Sequence, residues 1–241
     1  MSTSSTISIS NIQIEVIQKD IKNMHLAVYP PTGRIRLAAP LKTDAEVMRL
    51  FAISKIGWIK KHIKNFKEQP RESPREYQSG ESHYFMGKRY LLKVVEVDGP
   101  QKVHIKGLKT IQLNVRPNTS TESRAIVLKE WYRKELKKQL LELIAKWEKV
   151  IGVKCNDWGV KQMRTKWGAC NIASKRIWIN LELSKKPQMC LEYIIVHELI
   201  HLLERNHNDR FVSLMNKFMP KWRMHRDELN KLPVAHNEWH Y

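Results

Sequence analysis

Two histidines and a glutamate lie close together in one apolar stretch, in the order His197, Glu198 and His201. Because an α-helix has about 3.6 residues per turn, residues four apart lie on the same face, within about 40° of each other. His197 and His201 can therefore bind one metal ion. Glu198 is rotated by about 100° from His197, so it can contact a metal-bound water without being a ligand. This spacing favours a metal-dependent hydrolase with Glu198 as its general base.

Aliphatic residues surround these polar side chains on nearly every side, from Ile194 to Leu203. Such a composition is typical of a helix buried in a core, where each unpaired polar group costs ~1–3 kcal/mol. A divalent metal ion would satisfy the histidines, so we predict a metal-binding helix over residues 187–203, with Pro187 in its first turn. Two alternatives stay open: the histidines bond backbone carbonyls, or the metal ion is purely structural.

The third metal ligand must come from outside this pair, since a catalytic zinc typically has three protein ligands and an open fourth position. His207 is the best candidate, provided that the helix ends before it. No glycine is available for this turn, so we predict that Asn206 makes it in the left-handed conformation. Asp227 and Glu228, further along the chain, are the rival third ligands.

The composition is that of a folded, strongly basic protein. The chain has 241 residues, 42% of them hydrophobic, and a formal net charge of +19. It has neither a secretory signal pattern nor an apolar run of about 18 residues, so we expect a cytoplasmic protein without membrane spans. The positive charge leaves open a contact with nucleic acid through a basic surface, and nothing predicts the oligomeric state. Three cysteines without metal-binding spacing are expected to be free thiols: Cys155, Cys170 and Cys190.

The periodicity of apolar residues changes along the chain. It predicts an antiparallel strand meander over residues 7–38 and two hairpins over residues 83–115, with a long helix between them. Helical patterns then dominate, apart from a strand candidate at residues 176–180. We therefore predict an α+β fold. A β-rich N-terminal region with one long helix (residues 1–117) precedes a mainly helical domain with a small antiparallel sheet (residues 118–241).

Three blocks of this sequence resemble the YgjP-like zinc metallopeptidases, which are similar in turn to SprT-like proteins. The first block is a tryptophan-glycine box, RTKWGAC, at residues 164–170. The second block runs from Ile179 to Pro187. The third is HELIH at residues 197–201, followed by Asn206 and His207. The resemblance extends over about residues 10–232. Its specific motifs all lie in the C-terminal half.

The resemblance implies a zincin-like metallopeptidase domain over residues 118–241 that hydrolyses a protein or peptide substrate. It implies Zn2+ as the cofactor, His197, His201 and His207 as its ligands, and Glu198 as the catalytic residue. Two other classes of function stay open: a nucleic-acid-associated protease of SprT-like type, and a non-catalytic zinc-binding module. The donor that stabilises the oxyanion stays open among four residues: Arg164, Lys166, Tyr193 and His225.

Overall fold

The structure is a computed structural model that describes residues 4–29, 33–68, 75–163 and 166–232. Arg164 and Thr165, the first two residues of the tryptophan-glycine box, lie outside the described residues. Helices and strands are both abundant, and this confirms the predicted α+β fold class. The three cysteines are free. Over the described ranges, no helix is both long and apolar enough to cross a membrane.

Packing divides the chain into two compact units, Met1–Pro70 and Arg71–Tyr241. The predicted functional boundary between residues 1–117 and 118–241 falls inside the second unit. The sheet that precedes residue 117 shares one hydrophobic core with the helices that follow it, which explains why packing places the division earlier. The functional boundary near residue 117 therefore remains a proposal.

The first unit has four strands and two helices: β1 (Ser4–Ile9), β2 (Ile12–Lys19), β3 (His25–Tyr29), β4 (Arg34–Pro40), α1 (Ala45–Ser54) and α2 (Ile56–Glu68). Alternation of apolar and polar residues buries one sheet face, with Ile14 and Val16 on β2 beside Ile35 and Leu37 on β4. The strand order is β1-β2-β4-β3, and β2 pairs with β4 in parallel. The predicted antiparallel meander is wrong at this pair, because β3 lies at the edge and β4 returns beside β2.

The second unit begins with a sheet of the same topology: β5 (Ser82–Phe85), β6 (Lys88–Glu96), β7 (Lys102–Lys106) and β8 (Thr110–Val115). Its order is β5-β6-β8-β7, with a parallel middle pair and antiparallel outer pairs. The two predicted hairpins are confirmed. The first hairpin of each sheet turns through two residues with positive φ. These are Ser10 and Asn11 (45° and 63°) between β1 and β2, and Met86 and Gly87 (49° and 77°) between β5 and β6. Such two-residue turns match the right-handed twist of paired strands.

The remaining elements of the second unit carry the candidate site: α3 (Thr121–Ile151), β9 (Asp157–Lys161), β10 (Gly168–Asn171), β11 (Arg176–Asn180), a 3-10 helix (Leu181–Lys185), α4 (Gln188–Ile200), α5 (Asp209–Phe218) and α6 (Trp222–Lys231). The predicted small sheet has the order β10-β11-β9. β10 and β11 are antiparallel as expected, whereas β9 and β11 are parallel. β10 is therefore an edge strand of this sheet.

The turn between β5 and β6 lies against the segment that leads into α4. The Met86 N–H donates to the Ser184 carbonyl (2.9 Å), and the Gly87 N–H donates to the Lys185 carbonyl (3.1 Å). A Cβ atom on Gly87 would lie only 2.8 Å from Cγ of Pro187, so a side chain has no room there. The sheet of β5–β8 thus fixes the start of α4.

Candidate metal centre

Helix α4 carries the predicted catalytic residues through the core of the second unit. It begins after Pro187, its N-cap residue, and ends at Ile200, slightly earlier than the predicted 187–203. Nine of its residues are buried, Glu198 among them. His201 is the C-cap residue and keeps right-handed helical geometry, so it still lies one turn beyond His197. The predicted pairing of the two histidines on one face is therefore present.

The three predicted metal ligands meet at the end of this helix. One nitrogen from each of His197, His201 and His207 lies within 4.8 Å of the other two. The Nε2 atoms of His197 and His207 are 3.0 Å apart. Two imidazole nitrogens at this distance cannot both be bare acceptors, so the geometry suits a proton or a cation between them. Asp227 and Glu228 do not belong to any such cluster in the described part of the chain.

Phe211 on α5 forms an apolar support beneath all three imidazoles. Its ring centroid lies 5.0 Å from that of His197, 4.9 Å from that of His201 and 4.7 Å from that of His207. The ring is buried, and its contacts are edge-on or tilted, which are preferred arrangements for aromatic pairs. The apolar pattern of α5 predicts Phe211 as a core residue, but its place under the histidines depends on the turn before α5.

The turn between α4 and α5 brings His207 back without a left-handed residue. Asn206 has no positive φ angle, so the prediction that it makes the turn in that conformation is wrong. Instead, the N–H groups of Leu202 and Leu203 bond the carbonyls three residues earlier, which tightens the last turn of the helix. The Asn206 N–H then donates to a carboxylate oxygen of Glu204 (3.1 Å).

His207 immediately precedes Asn208, which begins the next helix. The Asn208 side chain is the N-cap of α5 and accepts a hydrogen bond from the Phe211 N–H (3.0 Å). Asparagine is a preferred residue at this position because its side-chain oxygen satisfies an otherwise unpaired N–H group. The cap fixes where α5 starts, and it thereby holds His207 and Phe211 on the same side of the cluster.

The chemistry of the three imidazoles fits a divalent transition metal. His201 Nδ1 lies 3.0 Å from the Glu204 carbonyl oxygen, which can only accept, so Nδ1 carries the proton and Nε2 has the lone pair. A bond of this kind is the usual outer support of a metal-binding histidine. Burial lowers the pKa of His197 to about 3 and also lowers that of His201, so both rings are neutral near pH 7, as metal binding requires. Three imidazoles are a donor set that zinc accepts readily.

Glu198 lies beside the cluster, and its carboxyl group is nearly enclosed. Burial raises its pKa to about 8, while the positive charge of Lys166 acts in the opposite direction. Gly168 on β10 packs directly against it, because a Cβ atom there would lie 2.6 Å from Oε1 of Glu198 and 2.9 Å from Cγ2 of Ile194. Only a residue without a side chain allows β10 to approach α4 this closely.

The cluster and Glu198 open onto a cleft of about 510 Å³. Gly168, Ala169 and Cys170 of β10 line one side, and residues of α6 line another. Of the residues predicted as oxyanion donors, Lys166 and Tyr193 line this cleft, whereas His225 lines a separate cavity of about 370 Å³ and Arg164 lies outside the described residues.

The structure adds two cleft residues that the sequence analysis missed, Arg205 and Arg226. No local spacing marks them, because they come from the α4–α5 loop and from α6 and meet only through the tertiary fold. Asp227, one of the rival third ligands, instead forms an ion pair with Arg226 (2.9 Å) at the surface.

Comparisons with known proteins bear on this arrangement. The family described as YgjP-like, metallopeptidase domain, matches residues 22–232. Among curated proteins, no match is found. A solved structure, the metallopeptidase zymogen abylysin of Pyrococcus abyssi, is similar at 16% identity with a TM-score of 0.35, covering 37% of this chain and 90% of that chain. The family match extends over most of the chain, so the protein belongs to the YgjP-like metallopeptidase family.

Proposed function

We propose that this protein is a zinc-dependent endopeptidase in which His197, His201 and His207 bind the metal ion and Glu198 is the general base. One observation carries the proposal: three imidazole nitrogens converge at the end of a buried helix, beside a buried carboxyl group in the same cleft. Membership of a metallopeptidase family supports peptide hydrolysis as the reaction. Three histidines with an open fourth position are an established ligand set of catalytic zinc, which supports zinc as the metal.

Glu198 is placed to move protons during hydrolysis. A bound divalent ion supplies Lewis acidity and makes water acidic enough to react near neutral pH. Glu198 takes a proton from the attacking water and returns it to the amine that leaves. A general base works best when its pKa lies near the working pH, and burial moves Glu198 in that direction. A neighbouring cation favours the ionised carboxylate that a base requires.

The edge strand β10 supports a peptide as the substrate. It pairs with β11 on one side only, and its residues Gly168, Ala169 and Cys170 line the cleft. An extended peptide can add to such an edge through backbone hydrogen bonds. Gly168 leaves the strand without a side chain beside Glu198, so a peptide on β10 would pass close to the proposed base. Tyr193 and Lys166 are the cleft residues whose hydroxyl or cation could stabilise an oxyanion.

The alternative of a non-catalytic zinc-binding module requires a fourth protein ligand. Within the described residues, the cluster contains three histidines and no further histidine, cysteine or carboxylate. A structural zinc site is usually closed by four protein ligands, while a catalytic site keeps one position open. The three-residue cluster therefore favours the catalytic proposal over the structural one.

The direct test combines metal content with peptide cleavage. Purified protein should contain about one zinc ion per chain and should hydrolyse casein. Excess EDTA should remove the zinc, stop hydrolysis and lower the melting temperature, because a bound ion ties α4 to the loop that carries His207. Zinc added back should restore all three properties. Undiminished casein hydrolysis by metal-free protein would refute the proposal, and a different metal at the same stoichiometry would reassign the cofactor.

Gly168 provides a test of how closely Glu198 must be positioned. Gly168→Ala should lower peptide hydrolysis by ~10–10² and leave zinc content unchanged, since the new Cβ atom would displace the Glu198 carboxyl group. Gly99→Ala is the matched control, because nothing lies within 4 Å of a Cβ atom at that position. Melting temperatures establish that both variants fold. Normal turnover by Gly168→Ala would mean that β10 does not constrain the base.

A further inference from the structure

Three cationic side chains line the cleft in addition to the histidines. Lys166 precedes β10, Arg205 lies in the α4–α5 loop and Arg226 lies on α6. Among the described residues that line the cleft, Glu198 is the one carboxylate, and it is buried. Cations from three separate elements therefore line a cleft whose described lining contains a single carboxylate.

The backbone of Lys166, just before β10, is held in place by Asn180 at the end of β11. The side-chain amide of buried Asn180 donates to the Lys166 carbonyl (2.7 Å), and the Asn180 N–H donates to the Trp167 carbonyl (2.9 Å). The lysine side chain is exposed, yet its charge is close enough to influence Glu198. A fixed backbone thus presents this cation near the proposed base.

Arg226 is positioned by aromatic stacking. Its guanidinium lies 5.2 Å from the centroid of the Trp222 ring, and Trp222 stacks on Tyr193 at 6.4 Å between centroids, with the rings inclined by 10°. Asp227 pairs with it at 2.9 Å, but the two side chains are 43% and 55% exposed, and such surface pairs contribute little. A guanidinium has five N–H donors, so one carboxylate does not exhaust it.

Arg205 completes the set from the loop between the ligands. It lies two residues before His207, and it directly follows Glu204, whose carbonyl bonds the His201 ring. Its side chain is exposed at the cleft. Because the same loop carries His207, the position of Arg205 is coupled to the metal centre.

From these positions we infer that the cleft selects peptides with acidic side chains near the scissile bond, which Lys166, Arg205 and Arg226 recognise. The inference rests on the proposed peptidase function and names its substrate class. Guanidinium groups form strong, directional hydrogen bonds with carboxylates, and a cleft lined by one sign of charge concentrates ligands of the opposite sign. Lysine or arginine near the scissile bond would be repelled by the same three groups.

The overall charge of the chain cannot produce this selectivity by itself. A net charge of +19 attracts any polyanion to the surface. Discrimination between residues beside the scissile bond depends on charges within about 8 Å, the screening length at physiological salt. The cleft cations are the groups that can supply such short-range discrimination.

The test uses three internally quenched peptides that share one apolar core and differ in their flanking residues, which are all Glu, all Gln or all Lys. We expect the wild-type protein to cleave the Glu peptide with the highest kcat/KM and the Lys peptide with the lowest. Lys166→Glu, Arg205→Glu and Arg226→Glu should each lower the Glu-to-Lys ratio by about three- to tenfold. Lys137→Glu, an exposed change of equal charge on α3, should leave the ratio unaltered.

Binding provides a second measurement that does not depend on turnover. In the Glu198→Gln background, fluorescence anisotropy should show tighter binding of the labelled Glu peptide than of the Lys peptide. Adding Lys166→Glu, Arg205→Glu or Arg226→Glu should weaken binding of the Glu peptide by a similar factor. Adding Lys137→Glu should leave its binding unchanged. Raising the salt concentration to about 1 M should reduce the preference, because the screening length falls to about 3 Å.

The outcomes separate this inference from the proposed function. Equal cleavage and equal binding of the Glu and Lys peptides would overturn the inference while peptidase activity stands. Selective binding of the Glu peptide without cleavage of any peptide would refute the proposed peptidase activity and would still support a binding site for acidic peptides. If instead a short single-stranded oligonucleotide displaces the peptide, and the reversals abolish oligonucleotide binding without changing the peptide ratio, the cleft cations serve nucleic acid and the inference is wrong.

Discussion

Glu198→Gln should lower kcat for peptide hydrolysis by at least ~10², the usual scale for losing a general acid or base. The amide keeps the shape of the side chain against Gly168 but cannot accept a proton from water. Zinc content should not fall, because Glu198 lies outside the cluster of three histidines. Turnover of an internally quenched peptide and metal analysis of the same preparation provide the measurement.

A matched substitution shows whether the loss is specific. Glu142→Gln changes an exposed carboxylate on α3 in the same way and should have full activity. Equal turnover by Glu198→Gln and wild type would exclude Glu198 as the base. Loss of zinc from Glu198→Gln would mean that the carboxylate contributes to metal binding, contrary to the proposed roles.

His207→Ala should weaken zinc affinity by more than ~10², beyond the range typical of changes in the outer support of a metal site. The structure brings the His207 ring nitrogen to 3.0 Å from that of His197, so its removal takes away one of three donors. Asp227→Ala and Glu228→Ala should alter the affinity little. Competition with a chromophoric chelator measures the zinc dissociation constants of the three variants under the same conditions.

This comparison decides between two ways of completing the site. The α4–α5 loop supplies the third ligand in our assignment, whereas α6 would supply it if Asp227 or Glu228 were the ligand. Full zinc occupancy in His207→Ala together with a metal-free Glu228→Ala would reassign the ligand to α6. His201→Ala serves as the positive control, because it removes a ligand that both arrangements share.

The sequence was most informative where chemistry and helical spacing coincide. His197 and His201 fall on one face because of the helical period alone, and the apolar residues around them predict a buried helix. Both predictions agree with the structure of α4. The first hairpin of the second sheet was also predictable, since Gly87 favours positive φ and interrupts an alternating pattern.

Features that depend on neighbours in space could not be predicted in this way. The turn before His207 is made by backbone hydrogen bonds three residues apart and by the Glu204 carboxylate, so the lack of glycine did not require Asn206 to be left-handed. The parallel pairing of β2 with β4 depends on β3 moving to the edge, which leaves no local pattern. For the same reason, the sequence does not indicate that Arg205 and Arg226 line one cleft.

The two sheets share a topology and a turn conformation, yet one of their turns is subject to a constraint that the other lacks. Asn11 shows that asparagine is accepted at positive φ in such a hairpin. At Gly87 the hairpin alone would accept asparagine as well, but Pro187 occupies the space that any side chain needs. A side chain at residue 87 is therefore excluded by the start of a helix distant in sequence. We expect a substitution there to shift α4, which carries His197 and Glu198, rather than to disrupt the hairpin itself.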